Sequence, residues 1–332
     1  MRQLKSAVVG VGYLGRFHAE KHASSTKSKL VAVVDRNPEH ASAMAEHFQC
    51  QSFTDYQALV GKGIDCVSVA ASTPAHYEIT KYLLENGIDV LVEKPMTTSA
   101  QEALELIAIA KKHQRILQVG HLERFNPAYK ALEGKLTAPR FFEAKRVSAF
   151  SGRSSDVDVV FDLMIHDLDI ITHLANSEVV RIDAVGVPVL TASIDIANVR
   201  LTFQNGAVAN ITASRVANAT ERSIRVFQPE VYLAVDFGRK RLRLTTKVET
   251  PEGPKLGVEE ISIGERDALN DEIDSFFNAV LTRSTPEVTG EDGYRAVMLA
   301  DQIRQAIYAN YEQVELASPT QAHGAESAVQ SA

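Results

Sequence analysis

Near its start the chain carries a continuous apolar run, Ala7-Val8-Val9, which breaks at Gly10-Val11-Gly12-Tyr13-Leu14-Gly15 and enters a helical stretch at 16–24. The same alternation recurs. Apolar runs at 30–34, 65–70, 90–92 and 116–120 are separated by helical stretches at 38–49, 76–86 and 99–113. The runs are continuous in polarity, so each strand must be covered on both faces. That condition predicts a parallel sheet with helices on either side. Sheets of this kind receive ligands at the carboxyl ends of their strands.

The glycine spacing says which ligand. Gly10-x-Gly12-x-x-Gly15 follows a strand and opens a helix, and Asp35 ends the next strand twenty residues beyond Gly15. In that context the pattern predicts a dinucleotide site, with backbone brought close to a pyrophosphate at a helix N-terminus. Asp35 would accept hydrogen bonds from the adenosine ribose and repel a 2′-phosphate, which favours NAD over NADP. Arg36 could reach such a phosphate, so NADP stays open. Ser72, Thr73, Pro74 and His76 close the third strand and are expected along the same crevice. For His76 a water-exposed helix start is an equal reading.

The run 90–92 ends in Glu93-Lys94-Pro95, which places a carboxylate and an ammonium at the sheet edge. Lys94 could position a substrate hydroxyl and stabilise a developing alkoxide. Glu93 could hold Lys94 or meet the nicotinamide ribose, and a cis bond at Pro95 is compatible with this turn. Farther on, Asp162 and His166 stand four apart in a helical stretch at 156–176 and share a face. His166 can take a proton near neutral pH, with Asp162 orienting it. A metal set of Asp162, His166, Asp169 and His173 has no recognisable ligand motif, and no metal is expected.

After Gly120 the pattern changes. A strand at 141–150 and the helix at 156–176 precede a region of strands and hairpin turns. Strands at 196–203 and 207–214 flank Asn205-Gly206, a hairpin turn pair. Strands at 222–227, 231–237 and 241–246 continue an antiparallel sheet, followed by helices at 267–283 and 291–310. Helices would cover one face and a partner subunit the other. The expected division is a Rossmann domain at 1–121 and a second domain at 122–312, whose last helix could pack back on the first; the small, polar stretch 317–332 reads as disordered.

Composition removes other classes. The 332 residues carry a formal net charge of −7, which argues against a nucleic-acid backbone binder. No apolar run reaches membrane-spanning length. The start lacks a secretory pattern, and Cys50 and Cys66 form neither metal spacing nor a disulfide framework, so the reading is a cytoplasmic protein.

Together these pieces resemble the glucose–fructose oxidoreductase/inositol dehydrogenase family. The resemblance runs to about residue 312. It rests on the glycine turn, Glu93-Lys94-Pro95, the stretch Val119-Gly120-His121-Leu122-Glu123-Arg124-Phe125-Asn126-Pro127, the Asp162-x-x-x-His166 spacing and Thr289-Gly290-Glu291-Asp292-Gly293. It implies a Rossmann domain plus an α/β domain with an open, mainly antiparallel sheet that serves as a dimer or tetramer interface. It implies catalysis by Lys94, Asp162 and His166. Cofactor contacts are expected from Gly10, Gly12, Tyr13, Leu14, Gly15, Asp35, Arg36, Ser72, Thr73, Pro74, His76, Glu93, Lys94 and Gln118. Substrate contacts are expected from Lys94, His121, Arg124, Phe125, Asn126, Arg153, Asp162 and His166.

Within the family, the stretches 120–127 and 162–169 look like bacterial UDP-N-acetylglucosamine 3-dehydrogenases of lipid A synthesis. That implies a nucleotide sugar, whose diphosphate needs cations; Arg124, Arg146, Arg153 and Arg215 are available. A dehydrogenase of a free sugar, inositol or dihydrodiol is the rival enzyme. A cofactor-sensing protein without chemistry is the rival of another class.

Overall fold

In a computed structural model of the chain, residues 3–132, 134–150, 157–264 and 266–317 are described. Arg153 and residues 318–332 lie outside them, so the expectations for that arginine and for most of the tail are not addressed.

The apolar runs become β1 (Leu4–Val9), β2 (Ser28–Val34), β4 (Cys66–Val69), β5 (Asp89–Glu93) and β6 (Leu117–Gly120), with a short β3 (Gln51–Phe53) that the periodicity does not signal. All pair in parallel in the order β3-β2-β1-β4-β5-β6. Every residue of β4, β5 and β6 is buried, as double-sided coverage requires. The order reverses between β1 and β4, which opens a crevice at their carboxyl ends.

Helices α1 (Gly15–Ser24), α2 (Pro38–Phe48), α3 (Thr73–Glu85) and α4 (Ala100–Lys112) connect these strands. Local chemistry sets their starts. Asn37 accepts from the Glu39 amide at 2.9 Å, and Ser99 accepts from the Glu102 amide at 3.3 Å. Helix α3 begins at Thr73, three residues earlier than the expected 76, with proline in its first turn. His76 is therefore inside the helix and buried, not at an exposed helix start.

The second half adds a 3₁₀ turn (Leu122–Phe125), the single-turn α5 (Pro127–Lys130) and β7 (Phe141–Val147). A π-helical turn (Val160–Met164) then leads into α6 (Ile165–Ala175). Strands β8 (Val179–Val187), β9 (Ile196–Phe203), β10 (Val208–Ser214), β11 (Glu221–Gln228), β12 (Val231–Asp236), β13 (Arg241–Thr250) and β14 (Gly253–Ser262) follow, then α7 (Ala268–Thr282) and α8 (Gly290–Ala317). The eight strands run β14-β13-β12-β11-β7-β10-β9-β8, antiparallel except for β7 with β10. Gly206 supplies the positive φ of the β9–β10 hairpin, as Asn205-Gly206 predicts. Beyond Thr246, β13 pairs with β14, extending the sheet past the expected end of the meander.

One face of this sheet packs Phe142, Leu201, Ile211 and Val226 against Leu168 and Ile171 of α6 and Ile303 and Ile307 of α8. The other face is open and polar. Arg200 donates to Asn210 at 2.9 Å and Asn198 to Thr212 at 2.9 Å, beside a stack of Phe141, Phe227 and Tyr232.

The helices of the second half do not stay with their own sheet. Ile273, Phe276, Phe277 and Val280 of α7 form one cluster with Leu4, Cys66 and Leu91 of the first sheet. Gly290 and Gly293 bring the start of α8 against Leu117 and Val119 of β6, where a Cβ would lie 3.2 and 2.7 Å from their side chains. The two sheets are thus locked through shared helices.

Candidate active site

The three glycines do three jobs. Gly10 has φ +83°, and a Cβ there would lie 2.7 Å from the Ala70 carbonyl. A Cβ on Gly15 would lie 1.6 Å from the Gly10 carbonyl, so the helix can approach the strand only with glycine there. Around Gly12 nothing lies within 4 Å of a Cβ, which leaves backbone open to a bulky anion. That combination fits a dinucleotide pyrophosphate. Asp35 is half-buried at the end of β2. Its carboxylate accepts from the Val11 amide at 2.9 Å and the Asn37 amide at 2.9 Å, tying the strand end to the glycine turn. A cleft of about 530 Å³ opens beside it, lined by Gly10, Asp35, Arg36, Tyr56, Ser72 and Pro74. Tyr13 and Leu14 are exposed at the start of α1, with the Arg16 guanidinium over the Tyr13 and Phe17 rings.

Three residues expected at the cofactor point elsewhere. His76 has its two ring nitrogens 2.8 Å from the Pro95 carbonyl and 3.0 Å from the Ala71 carbonyl, so it ties α3 to the turn after Lys94. Burial lowers its pKa. Gln118 is fully buried and donates to the Glu272 carbonyl of α7 at 3.1 Å. Glu93 turns inward, 2.9 Å from His18 Nε2 of α1, and its other oxygen accepts from the Lys94 amide at 3.3 Å. Strand pleat explains the last two: both side chains project from the sheet face that α1 and α7 cover.

Lys94 stands at the seam between the two sheets, and Lys94–Pro95 is cis. Its Nζ donates to the Asp162 carbonyl at 2.7 Å and lies 3.6 Å from the Asp162 carboxylate. Burial lowers the Lys94 pKa, opposed by the charges of Asp162 and Glu93. The carbonyl is within reach because the helix is locally π-helical. Asp158 caps that turn, accepting from the Val160 amide at 2.9 Å and the Phe161 amide at 3.1 Å. A turn of this kind closes over five residues, so four residues fall short of a full turn. The expected Asp162–His166 pair accordingly does not form: no hydrogen bond joins them among the described residues, and Asp162 faces Lys94. π-turns of this type are frequent at functional sites.

His166 is half-buried, with Nδ1 buried and unpartnered. Its pKa is driven well below the ordinary histidine value, first by burial and then by Lys94, Arg146, His121 and Arg222. The imidazole is therefore neutral near pH 7 and able to accept a proton. His121 adjoins this group, fully buried with neither ring nitrogen partnered. Its pKa is likewise lowered by burial.

Three of the four arginines expected to meet a diphosphate are engaged inside the protein. Arg124 donates to both oxygens of Asp169 at 2.7 and 3.0 Å and lies 3.4 Å from Asp292. Arg146 donates to Asp167 at 3.0 and 2.9 Å and to Glu123 at 2.9 Å. Arg215 donates to Asp195 at 2.8 Å. Removing three guanidinium groups from water demands such partners. Phe125 is buried, and Asn126 caps α5, accepting from the Ala128 amide at 3.0 Å. Stretch 120–127 is thus mainly a knot joining β6 to α6, β7 and α8; His121 alone in it keeps free polar atoms.

Sequence reasoning missed Arg222. It lies opposite Arg146 on β11 and is exposed, its guanidinium without a hydrogen bond or ion pair among the described residues, yet its charge reaches His166 and Asp167. Alternation along β11 places it on the helix-covered side with Ile224 and Val226, a signal available once the strand register is known.

Residues 4–121 match the family model described as oxidoreductase family, NAD-binding Rossmann fold, and residues 133–231 match the Gfo/Idh/MocA C-terminal domain. The chain is 37% identical over 312 residues to the UDP-N-acetylglucosamine 3-dehydrogenase of Acidithiobacillus ferrooxidans, covering 93% of this chain and 99% of that protein. It is 28% identical over 233 residues to the scyllo-inositol 2-dehydrogenase (NAD(+)) of Bacillus subtilis, covering 65% and 68%. A solved structure of the Acidithiobacillus enzyme gives a TM-score of 0.87 over 93% of this chain and 99% of that one. The myo-inositol 2-dehydrogenase of Lactobacillus plantarum, 21% identical, shares the fold with a TM-score of 0.79 over 93% and 98%. The glycine cradle, the lysine at the sheet edge and these likenesses agree: the chain belongs to the Gfo/Idh/MocA oxidoreductase family and is an NAD-binding oxidoreductase acting on a CH–OH group.

Proposed function

We propose that this enzyme oxidises the C3 hydroxyl of UDP-N-acetylglucosamine, making a 3-keto nucleotide sugar of the kind used in lipid A synthesis. The full-length 37% identity to a relative of that name is the observation that carries the reading. The field at His166 supports it, since Lys94, Arg146 and Arg222 are all cations, as an anionic substrate requires. Among the described residues, Arg222 is a cation free to meet a diphosphate.

Bound NAD supplies the hydride acceptor. Neutral His166 takes the hydroxyl proton. Lys94, held by the Asp162 carbonyl, orients the hydroxyl and stabilises its growing negative charge. Asp162 keeps the Lys94 ammonium in place, and the buried ring of His121 offers a hydrogen-bonding group to the sugar. Gly10, Gly12 and Gly15 with Asp35 hold the pyrophosphate and adenosine ribose.

NAD reduction with UDP-N-acetylglucosamine, UDP-glucose, N-acetylglucosamine and myo-inositol tests the reading, with a carbonyl trap to pull the equilibrium. Turnover is expected only with the N-acetylated nucleotide sugar. Turnover on inositol alone would replace it with the inositol reading, and none on any substrate would favour the cofactor-sensing reading. Lys94→Ala and His166→Ala should each lose about 10²–10⁴ in kcat while binding NAD normally. Arg222→Ala should raise the KM for the nucleotide sugar by about tenfold, the loss of one charge-assisted hydrogen bond.

We also infer that the open face of the second sheet meets another copy of the chain. Its polar ladders and the Phe141–Phe227–Tyr232 stack support this, because an aromatic cluster within a polar rim suits an interface.

A further inference from the structure

Under the strand end that carries Lys94 lies a buried group of acceptors with too few donors. Glu93 is nearly buried, and His18 of α1 and Glu272 of α7 are wholly so. One polar atom from each lies within 4.8 Å of the others. Both Glu272 carboxylate oxygens are buried and unpartnered, as are His18 Nδ1 and Gln118 Oε1. Buried polar atoms are rarely left so, because each costs the hydration it has lost. A cation, or a proton on one carboxyl, would satisfy the group.

The His18 contact favours the proton. At 2.9 Å from Glu93 Oε1, His18 Nε2 is placed as a hydrogen-bond donor. A nitrogen that donates a proton cannot also ligate a metal. Two ionised carboxylates this close, both buried, would repel strongly. We propose that Glu272 holds a proton and, with Glu93 and His18, forms a buried set that positions Lys94. This rests on the role given to Lys94 above.

The route to Lys94 is short. The Glu93 carboxylate accepts from the Lys94 amide at 3.3 Å and lies across Gly120, where a Cβ would meet it at 2.8 Å. Burial alone would raise the Glu93 pKa, but His18, by hydrogen bond and then by charge, followed by the Lys94 charge, takes it below the usual carboxylate range. Burial, and then the Glu93 charge, push Glu272 well above that range. Other titratable groups face this layer: His22 of α1, which burial keeps neutral with a pKa of about 3, His76 of α3, whose pKa burial lowers, and the Cys66 thiol, which burial pushes up. The ion pairs Lys21–Asp267 and Lys27–Asp274 tie α7 down at the rim.

The pH dependence has a definite sign. A glutamate whose folded pKa is raised binds its proton more tightly when folded, so stability falls as pH climbs above the unfolded value of about 4.3. Glu272→Gln keeps a donor and removes the titration. Its melting temperature should exceed that of the wild type at pH 8 and converge with it toward pH 5. It should retain most of kcat, whereas Glu272→Ala, which removes the donor, should lose about ten- to a hundredfold through misplacement of Lys94, with NAD affinity unchanged.

Parallel melting profiles for wild type and Glu272→Gln would overturn the proposal. So would a Gln variant as slow as the Ala variant, or a stoichiometric metal ion present in the wild type and lost from Glu272→Gln. If Glu272→Ala does not fold, the Gln melting profile still decides. That profile needs no turnover, so its failure is separable from failure of the Lys94 role, which Lys94→Ala reads directly.

Discussion

At the scale of residues, His166 and Asp162 show how four positions of separation can mean different things. On an α-helix the carboxylate would sit beside the imidazole and raise its pKa. The π-turn sends Asp162 to Lys94 instead, and His166 is left among cations in a buried setting. Both burial and those charges favour the neutral ring. The expected consequence is a kcat/KM profile whose acid limb lies below the ordinary histidine value of about 6.5. An acid limb at pH 7 or above would mean that a carboxylate supports His166 after all. The lowered pKa also sets the sign for folding: the folded state resists protonation of His166, so this group costs stability as pH falls below the unfolded value.

At the scale of elements, α6 is fastened by charge as much as by its apolar face. Asp167 pairs with Arg146 of β7, and Asp169 with Arg124 of the 3₁₀ turn, while Asp292 at the start of α8 closes the second pair. All are buried or nearly so. Arg124→Ala would leave Asp169 buried with its charge uncompensated, and should destabilise the protein by about 3–5 kcal/mol. Denaturant unfolding measures this. A loss below about 1 kcal/mol, the size seen for exposed pairs, would show that Arg124 is free for ligand instead. The partners stand 45 and 168 residues away in the chain, so local pattern offers no sign of them.

At the scale of the whole molecule, two sheets meet through helices that belong to neither alone. Helix α7 closes the first sheet, and α8 runs from β6 to the second sheet. Lys94 and His166, the residues proposed to carry the chemistry, lie on opposite sides of this seam, so its rigidity holds the site together. The open sheet face bears on assembly. Sedimentation of the intact protein should show a dimer or larger, and Phe227→Glu, which places a charge in the aromatic stack, should shift it toward monomer while leaving NAD binding intact. A monomeric wild type would remove the interface.

What can be read from the chain alone is what short segments decide. The turn needs glycine at position 15 because the helix backbone there approaches the Gly10 carbonyl within the same short segment. Asn37 and Ser99 cap helices through bonds spanning two and three residues, and Asn205-Gly206 makes its hairpin through local dihedral preference. Lys94 was legible as a charge at a strand end, and His166 as a titratable residue one helical turn from Asp162. Tertiary structure decided where charge goes. Whether Arg124 serves a ligand or Asp169, whether Glu93 turns to cofactor or to His18, and whether Glu272 lies in water or under β5 depend on partners brought from distant parts of the chain. Burial then makes those pairings strong, because a charge removed from water must find its compensation within reach.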